Sequence, residues 1–364
     1  MASHPSGERF TVELEKGTNW WGAFVIGLAG TILVIGLAGY ALLALGGVAV
    51  TLFILLTLVG VFLCFCLAEL AAAFPDRAGG LPSYAFETFK PWGDGASEHI
   101  GGLSSWAYWL GWFTVAPINA YLAALYITDL FGIPLGGTYG PISDKFGSAW
   151  SVGVLVTAAV ILVVMFIPGW LGIRLGATFA TILGIGSIIP LVLIIILPFF
   201  HPSSIDFGNI QLGTLPDGVT GSWQLILGWA FIFTWTVWAM EAAACYIGEC
   251  REPARDAKIA MTAEGLFGLF IYIALPVMLL AVLGNAGFAE LGSGDANVVF
   301  LGYVDKIFGA NEFWKWFVGL ALVAALLLSV LNALIGASRG LWQNSIDGVL
   351  PKVFGRTNSH GSPS

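Results

Sequence analysis

Charged side chains are what this sequence has least of. The 22 Asp and Glu and 14 Lys and Arg make up 10% of 364 residues, against about a quarter in an ordinary soluble domain. Hydrophobic residues make up 58%, more than a water-soluble fold can hide. Cysteine and histidine occur four times each. Cys64 and Cys66 are two residues apart, on different faces of one helix, and Cys245 and Cys250 lie near the end of a later one, so no disulfide or metal pattern emerges. His4, His99, His201 and His360 fall in tails, loops or span ends. No pair of them ligates a metal or haem inside a bundle, and an intramembrane serine hydrolase lacks its base. No metal, no cofactor and no enzyme activity are expected. A formal charge of -8 without a basic run excludes nucleic acid as a partner. The apolar content excludes disorder, and unbroken rather than alternating apolar runs exclude a porin-like barrel.

What is present is a series of long uncharged runs. Gly17 to Ala68 holds 52 residues without Asp, Glu, Lys or Arg, enough for two crossings at roughly 20 residues each. Six further runs, from His99, Phe146, Leu175, Gly218, Gly265 and Trp316, are each 23 to 31 residues long. The sequence therefore predicts an all-α, polytopic membrane bundle of eight helices, near 20–42, 47–74, 103–130, 149–168, 174–199, 223–248, 265–284 and 316–338. The first is read as a span and not a signal peptide, having no cleavage site. With the N-terminus inside, eleven Lys and Arg fall on the cytoplasmic side (Arg9, Lys16, Arg77, Lys90, Arg174, Arg251, Arg255, Lys258, Arg339, Lys352, Arg356) and three outside (Lys145, Lys306, Lys315). This bias puts both termini in the cytoplasm. Trp20, Trp21, Trp92, Trp150, Trp223, Trp314 and Trp316 sit near span ends, as interfacial anchors do.

The informative residues violate the apolar pattern. In the first span, Gly27, Gly30 and Gly36 admit two readings: close helix packing, or a helix interrupted at mid-depth that shows its backbone to a substrate. The sixth span runs Thr234-Trp235-Thr236-Val237-Trp238-Ala239-Met240-Glu241. A carboxylate at that depth costs about 2.5 to 3.5 kcal/mol and needs a partner or a proton. Glu241 is the leading functional candidate, with snorkelling to the interface as the alternative.

Several motifs, taken together, resemble the amino acid, polyamine and organocation (APC) superfamily, in its amino acid permease branch. They are Ala68-Glu69-Leu70 through Pro75 with Gly79, Gly80 and Tyr84; Trp106-Ala107-Tyr108-Trp109-Leu110; Glu241 followed by Gly248-Glu249-Cys250-Arg251-Glu252-Pro253 and Asp256; and Asp347-Gly348-Val349-Leu350-Pro351-Lys352 with Asn358 to Pro363. The resemblance implies an inverted-repeat transporter fold in which Ala29, Gly30 and Thr31 face Trp235, Thr236 and Val237 across the substrate, with Trp235 as a gate. Free amides at a half-helix N-terminus would meet a carboxylate, and free carbonyls an ammonium. Ser329 and Asn332 would line the pocket or make ordinary interhelical hydrogen bonds. Glu241 would serve gating and proton coupling, and Glu69 is the next candidate. Two departures stand out: Ala239 replaces a glycine common in relatives, and Thr181 to Pro190 carries no lysine.

The implied organisation is a cytoplasmic tail 1–18, a first five-helix repeat 19–200, an extracellular loop 201–222, a partial second repeat 223–338 and a cytoplasmic tail 339–364. It stops before the expected ninth of twelve helices. The function implied is secondary transport of amino acids or related small amines by alternating access in a plasma or inner membrane. The alternative is a truncated non-transporting subunit or substrate sensor. A channel has no filter-like sequence in its favour. Expected partners are the small-molecule substrate and the lipid bilayer, with a partner chain or homo-oligomer left open.

Overall fold

A computed structural model describes residues 14–134, 136–137 and 151–363. The tail residues His4 and Arg9, and also Lys145 and Trp150, lie outside the described residues. Among the described residues the chain is helical apart from loops and two isolated β-bridges. Among the described residues, eight helices are long and apolar enough to cross a membrane: Trp20–Leu45, Gly47–Ala73, Asp94–Phe131, Val152–Trp170, Ile173–Phe200, Trp223–Glu249, Pro253–Leu291 and Glu312–Ile346. They are called spans one to eight below. The protein is a polytopic all-α bundle.

Local chemistry sets the ends of these helices. The Asn19 side chain accepts from the amides of Trp21 and Gly22 at 3.1 and 3.2 Å, a cap of about 1 kcal/mol that starts span one. Ser222 and Asn311 cap spans six and eight in the same way. Three spans extend beyond the uncharged runs. Span three starts at Asp94, and its two helical pieces meet at Phe113–Thr114, where Pro117 has no amide for the Phe113 carbonyl. Span seven starts at Pro253, a residue preorganised for a first helical turn, so Lys258 and Glu264 are helical and not in a loop. Span eight continues to Ile346. The segment from 339, expected as tail, is thus helix for its first eight residues. Charge marks where lipid ends poorly when the charged groups are paired inside protein.

One end of the bundle carries the arginines, and a buried ion pair closes it. Arg339 donates from Nε and Nη2 to the Glu249 carboxylate at 2.8 and 3.0 Å, with both side chains 1% exposed. Around this fork, the Thr18 amide donates to the Glu249 carbonyl and the Arg251 amide to the Thr18 carbonyl, at 3.2 and 3.1 Å. The start of span one is thereby tied to the end of span six. The connection after span two joins the same place: Gly79 donates to the Cys245 carbonyl at 3.2 Å, and Ala78 donates to Gln343 Oε1. Arg77 pairs with Glu87 and Asp347. At the opposite end, the loop between spans five and six folds over the bundle, with Asp206 donating its amide to Ala281 and Thr214 accepting from Val48.

Breaking a buried pair by removing one partner costs about 3 to 5 kcal/mol, because the other charge is left bare. Arg339→Met should therefore lower the thermal unfolding midpoint in detergent sharply, and adding Glu249→Gln should recover part of that loss. Equal midpoints for Arg339→Met and the parent would show that the fork does not hold the arginine-rich end.

Candidate functional site

Spans one and six are both interrupted, and the interruptions touch. Span one is α-helical over Trp20–Thr31 and again over Val34–Leu45. Between them Ile32 flattens (φ -81°, ψ 1°), and the Leu33 amide bonds the Gly30 carbonyl at 3.4 Å. In span six the α-helix Trp223–Trp238 gives way at Ala239 to a 3-10 stretch of 11 residues, Ala239–Glu249. Runs of 3-10 helix beyond three or four residues are uncommon and mark hinges within helices. The breaks begin one residue past the expected Ala29-Gly30-Thr31 segment and two past Trp235-Thr236-Val237. Those six residues are still helical, and Ala239 unwinds without a glycine.

The glycines of span one set the distance between the two spans. A Cβ at Gly30 would sit 2.1 Å from the Ala239 carbonyl oxygen, and one at Gly27 would sit 2.5 Å from the Ala243 amide nitrogen. Backbone lies directly on backbone at this crossing, which supports the packing reading for these two. Gly36 has nothing within 4 Å of such an atom, and it lines a cavity instead.

Carbonyls loosened at the breaks are taken up by side chains from other spans. Ser329 Oγ donates to the Ala29 carbonyl at 3.3 Å. Tyr272 Oη donates to Thr236 at 2.9 Å and lies 3.4 Å from the Gly30 carbonyl. Tyr84 Oη donates to Ala244 at 3.2 Å. On the amide side, Ala243 N–H donates to Glu264 Oε2 at 3.1 Å.

Three cavities surround the breaks. The largest, 640 Å³, lies between spans two, three and six; Leu33, Cys64, Tyr108, Trp235, Trp238, Ala239 and Glu241 are among its walls. One of 60 Å³ lies toward the opposite end, between Ile32, Leu33, Gly36, Asn119, Asp295 and Ser329. A third, of 20 Å³, is bounded by Tyr108, Cys245, Tyr246 and Asn332.

Of the residues expected from sequence, Trp235 and Glu241 line the first cavity, Ser329 the second and Asn332 the third. Ala29, Gly30, Thr31, Thr236 and Val237 line none of the three and are buried in packing. Trp235 is 43% exposed, with Nε1 3.4 Å from the Gly111 carbonyl. Asn332 Oδ1 accepts from Tyr246 Oη, and its Nδ2 is buried without a partner. Glu241 is buried, and Tyr108 Oη lies 2.9 and 3.1 Å from its two carboxylate oxygens and 3.2 Å from Cys245 Sγ. That burial disfavours the snorkelling alternative. Glu69 lies outside the site: its side chain is 76% exposed, 3.7 Å from Lys258 Nζ. Sequence reasoning missed Glu264 and Tyr272 as parts of the site, and had Tyr108 only within a motif. Glu264 ended a charged stretch read as loop, and a tyrosine in an apolar run carries no period to betray it. Among the described residues no cluster of metal-ligating side chains occurs.

Gly30→Ala should separate spans one and six and lower both thermal stability and substrate affinity, while Gly36→Ala should leave stability within about 1 kcal/mol of the parent, the cost of Gly against Ala in a helix. Thermal unfolding and ligand-binding titrations of the two variants check this. Equal behaviour of the two glycines would remove the close crossing as a constraint.

The sequence profile described as amino acid permease matches residues 19–364. Among curated proteins, the chain is 27% identical over 306 residues to an uncharacterized transporter of Legionella pneumophila, covering 81% of this chain and 59% of that protein. It is 27% identical over 279 residues to the L-lysine transport protein of Corynebacterium glutamicum, covering 74% of this chain and 50% of that one. It is 24% identical over 318 residues to the arginine/ornithine antiporter of Pseudomonas aeruginosa, covering 85% and 59%. The chain thus spans between half and three-fifths of the length of these relatives. With a match from Asn19 to the end of the chain and eight apolar helices to carry it, the chain belongs to the amino acid permease family of the APC superfamily, a family of integral membrane transporters.

Proposed function

We propose that this chain forms the core of a secondary active transporter that moves amino acids or related small amines across a membrane by alternating access. The observation that carries the reading is the contact of two broken spans, Gly30 on Ala239, flanked by cavities that reach the break residues Leu33 and Ala239. Irregular backbone at membrane depth is tolerated where it is buried or lines a cavity. Half-helix ends there offer amides to a carboxylate and carbonyls to an ammonium without burying charged side chains. The start of the helix Val34–Leu45 faces the 60 Å³ cavity through Ile35 and Gly36, which supports a carboxylate site at that end. The names of the relatives make lysine, arginine and ornithine the first substrates to test.

Spans one and six, tied through Thr18 and Glu249, rock together, and the ion pair of Glu249 with Arg339 is the lock at the arginine-rich end. The five spans within 19–200 are the first repeat and the three from Trp223, the last of which runs past the expected end at 338 to Ile346, are part of the second, and Trp235 swings over the larger cavity as a gate. By the excess of Lys and Arg, the arginine-rich end and both termini are cytoplasmic in a plasma or inner membrane. Glu241, held by Tyr108, titrates with the gate.

Reconstituted into proteoliposomes, the protein should take up labelled lysine or arginine in a saturable manner, and Glu241→Gln should leave binding measurable while flattening the pH profile of uptake. Binding without flux would favour the sensor alternative. A pH profile parallel to that of the parent would make Glu241 structural.

Orientation is tested separately. A cysteine introduced at Lys258 should resist an impermeant thiol reagent in intact cells and react once they are permeabilised. Labelling from outside would invert the topology.

A further inference from the structure

Glu264 is 0% exposed, eleven residues into span seven, where a soluble-loop carboxylate was expected. Its Oε2 accepts the Ala243 amide of the unwound stretch of span six at 3.1 Å. The carboxyl also faces the Thr31 hydroxyl, the last helical residue before the break in span one. Oε1 of Glu264 and Oγ1 of Thr31 are both buried without a hydrogen-bond partner. The titratable groups around Glu264 are Cys64 from span two, Glu241, Cys245 and Tyr246 from span six, and Tyr272 on its own helix. None is a cation. Lys258, on the same helix, lies instead by the exposed Glu69, and Arg339 is held by Glu249.

We propose that Glu264 is a proton-binding site, separate from Glu241, that joins the interrupted halves of spans one and six when occupied. A proton from solvent forms one O–H bond at Oε1. The carboxyl becomes neutral, Oε2 keeps the Ala243 amide, and the new O–H is a donor for Thr31 Oγ1, whose own hydroxyl would donate to the ionised form. The neutral carboxyl thus links the three elements that meet at the breaks through one side chain without burying a charge. Loss of the proton leaves a charge that the same two donors meet but no cation balances, with the acidic Glu241 among its neighbours. Such a group is costly in a membrane interior unless it is paired or neutral, so the linkage opens. Occupancy of Glu264 thereby biases whether the two broken spans are packed or parted.

This proposal rests on the transport reading only for its consequence, and an infrared titration of the purified full chain tests the site itself. The carbonyl stretch of a protonated carboxyl should appear as pH is lowered, persist in Glu241→Gln and be lost in Glu264→Gln. Should Glu264→Gln fail to fold, Glu264→Asp should shift that band in frequency. A band unchanged by both substitutions at 264 overturns the proposal. So does a band abolished by sodium chloride but not by choline chloride, which would make the site one for a metal cation. Lysine uptake by the same preparation should show a shifted pH profile in Glu264→Gln, a change that adds to the one in Glu241→Gln. If the parent moves no lysine, the transport reading fails, and the infrared bands still decide whether Glu264 binds the proton.

Discussion

A backbone that crosses lipid has to find partners for its amides and carbonyls inside the protein, and this chain leaves several of them loose in two adjacent spans. The rest of the bundle is arranged around that debt of hydrogen bonds. Leu33 bonds Gly30 instead of Ala29, which frees the Ala29 carbonyl for the hydroxyl of Ser329 on span eight. Tyr272 and Glu264 reach in from span seven and Tyr84 from the short helix Leu81–Thr88. Each is a buried polar side chain that ties its helix to the breaks.

The same constraint explains the glycines. For Ser329 and Tyr272 to reach carbonyls on span one while spans one and six remain in contact, the two backbones must approach closer than any side chain permits at Gly27 and Gly30. The approach continues to the arginine-rich end, where Thr18 bonds Glu249 and Arg251 backbone to backbone. At that end Gly80, with φ 68°, lets the connection after span two pass within 3.1 Å of Cys245 Sγ, measured from the position a Cβ would take. A larger residue there is strained by conformation and by space.

Much of the fold was legible because a span declares itself by length and lack of charge, as in Gly47–Ala73 and Ile173–Phe200. The ends were less legible. Absence of charge defines where lipid must begin, yet Asp94, Lys258 and Arg339 are helical and charged, since a helix continues past the lipid and a paired charge is tolerated within. The sequence places the breaks in the right spans, one residue early in span one and two in span six. Composition there pointed to glycine, whereas the glycines serve the crossing and the unwinding falls at Ile32 and Ala239, neither of them a turn former. Glu241 was legible as a lone carboxylate in an apolar run. Glu264 was not, because a residue next to charged neighbours in sequence looks like loop until the helix through Pro253 is seen to carry it inward.

The division between residues that pack and residues that line space follows from this geometry and changes what a site means here. Ala29, Gly30, Thr31, Thr236 and Val237 hold the crossing, and the broken backbone meets the cavities at Ile32, Leu33 and Ala239. A substrate at the breaks would therefore read the helix ends and the cavity walls, and the close contacts beneath would set how far those ends can separate. Separation needs the crossing to loosen, and the crossing is held by hydrogen bonds from side chains on spans seven and eight. Spans seven and eight, helical where Glu264, Tyr272 and Ser329 stand, thus govern spans one and six. The amide held by Glu264 is the one such contact whose acceptor can itself take up a proton, whereas Ser329 and Tyr272 meet their carbonyls as hydroxyl donors.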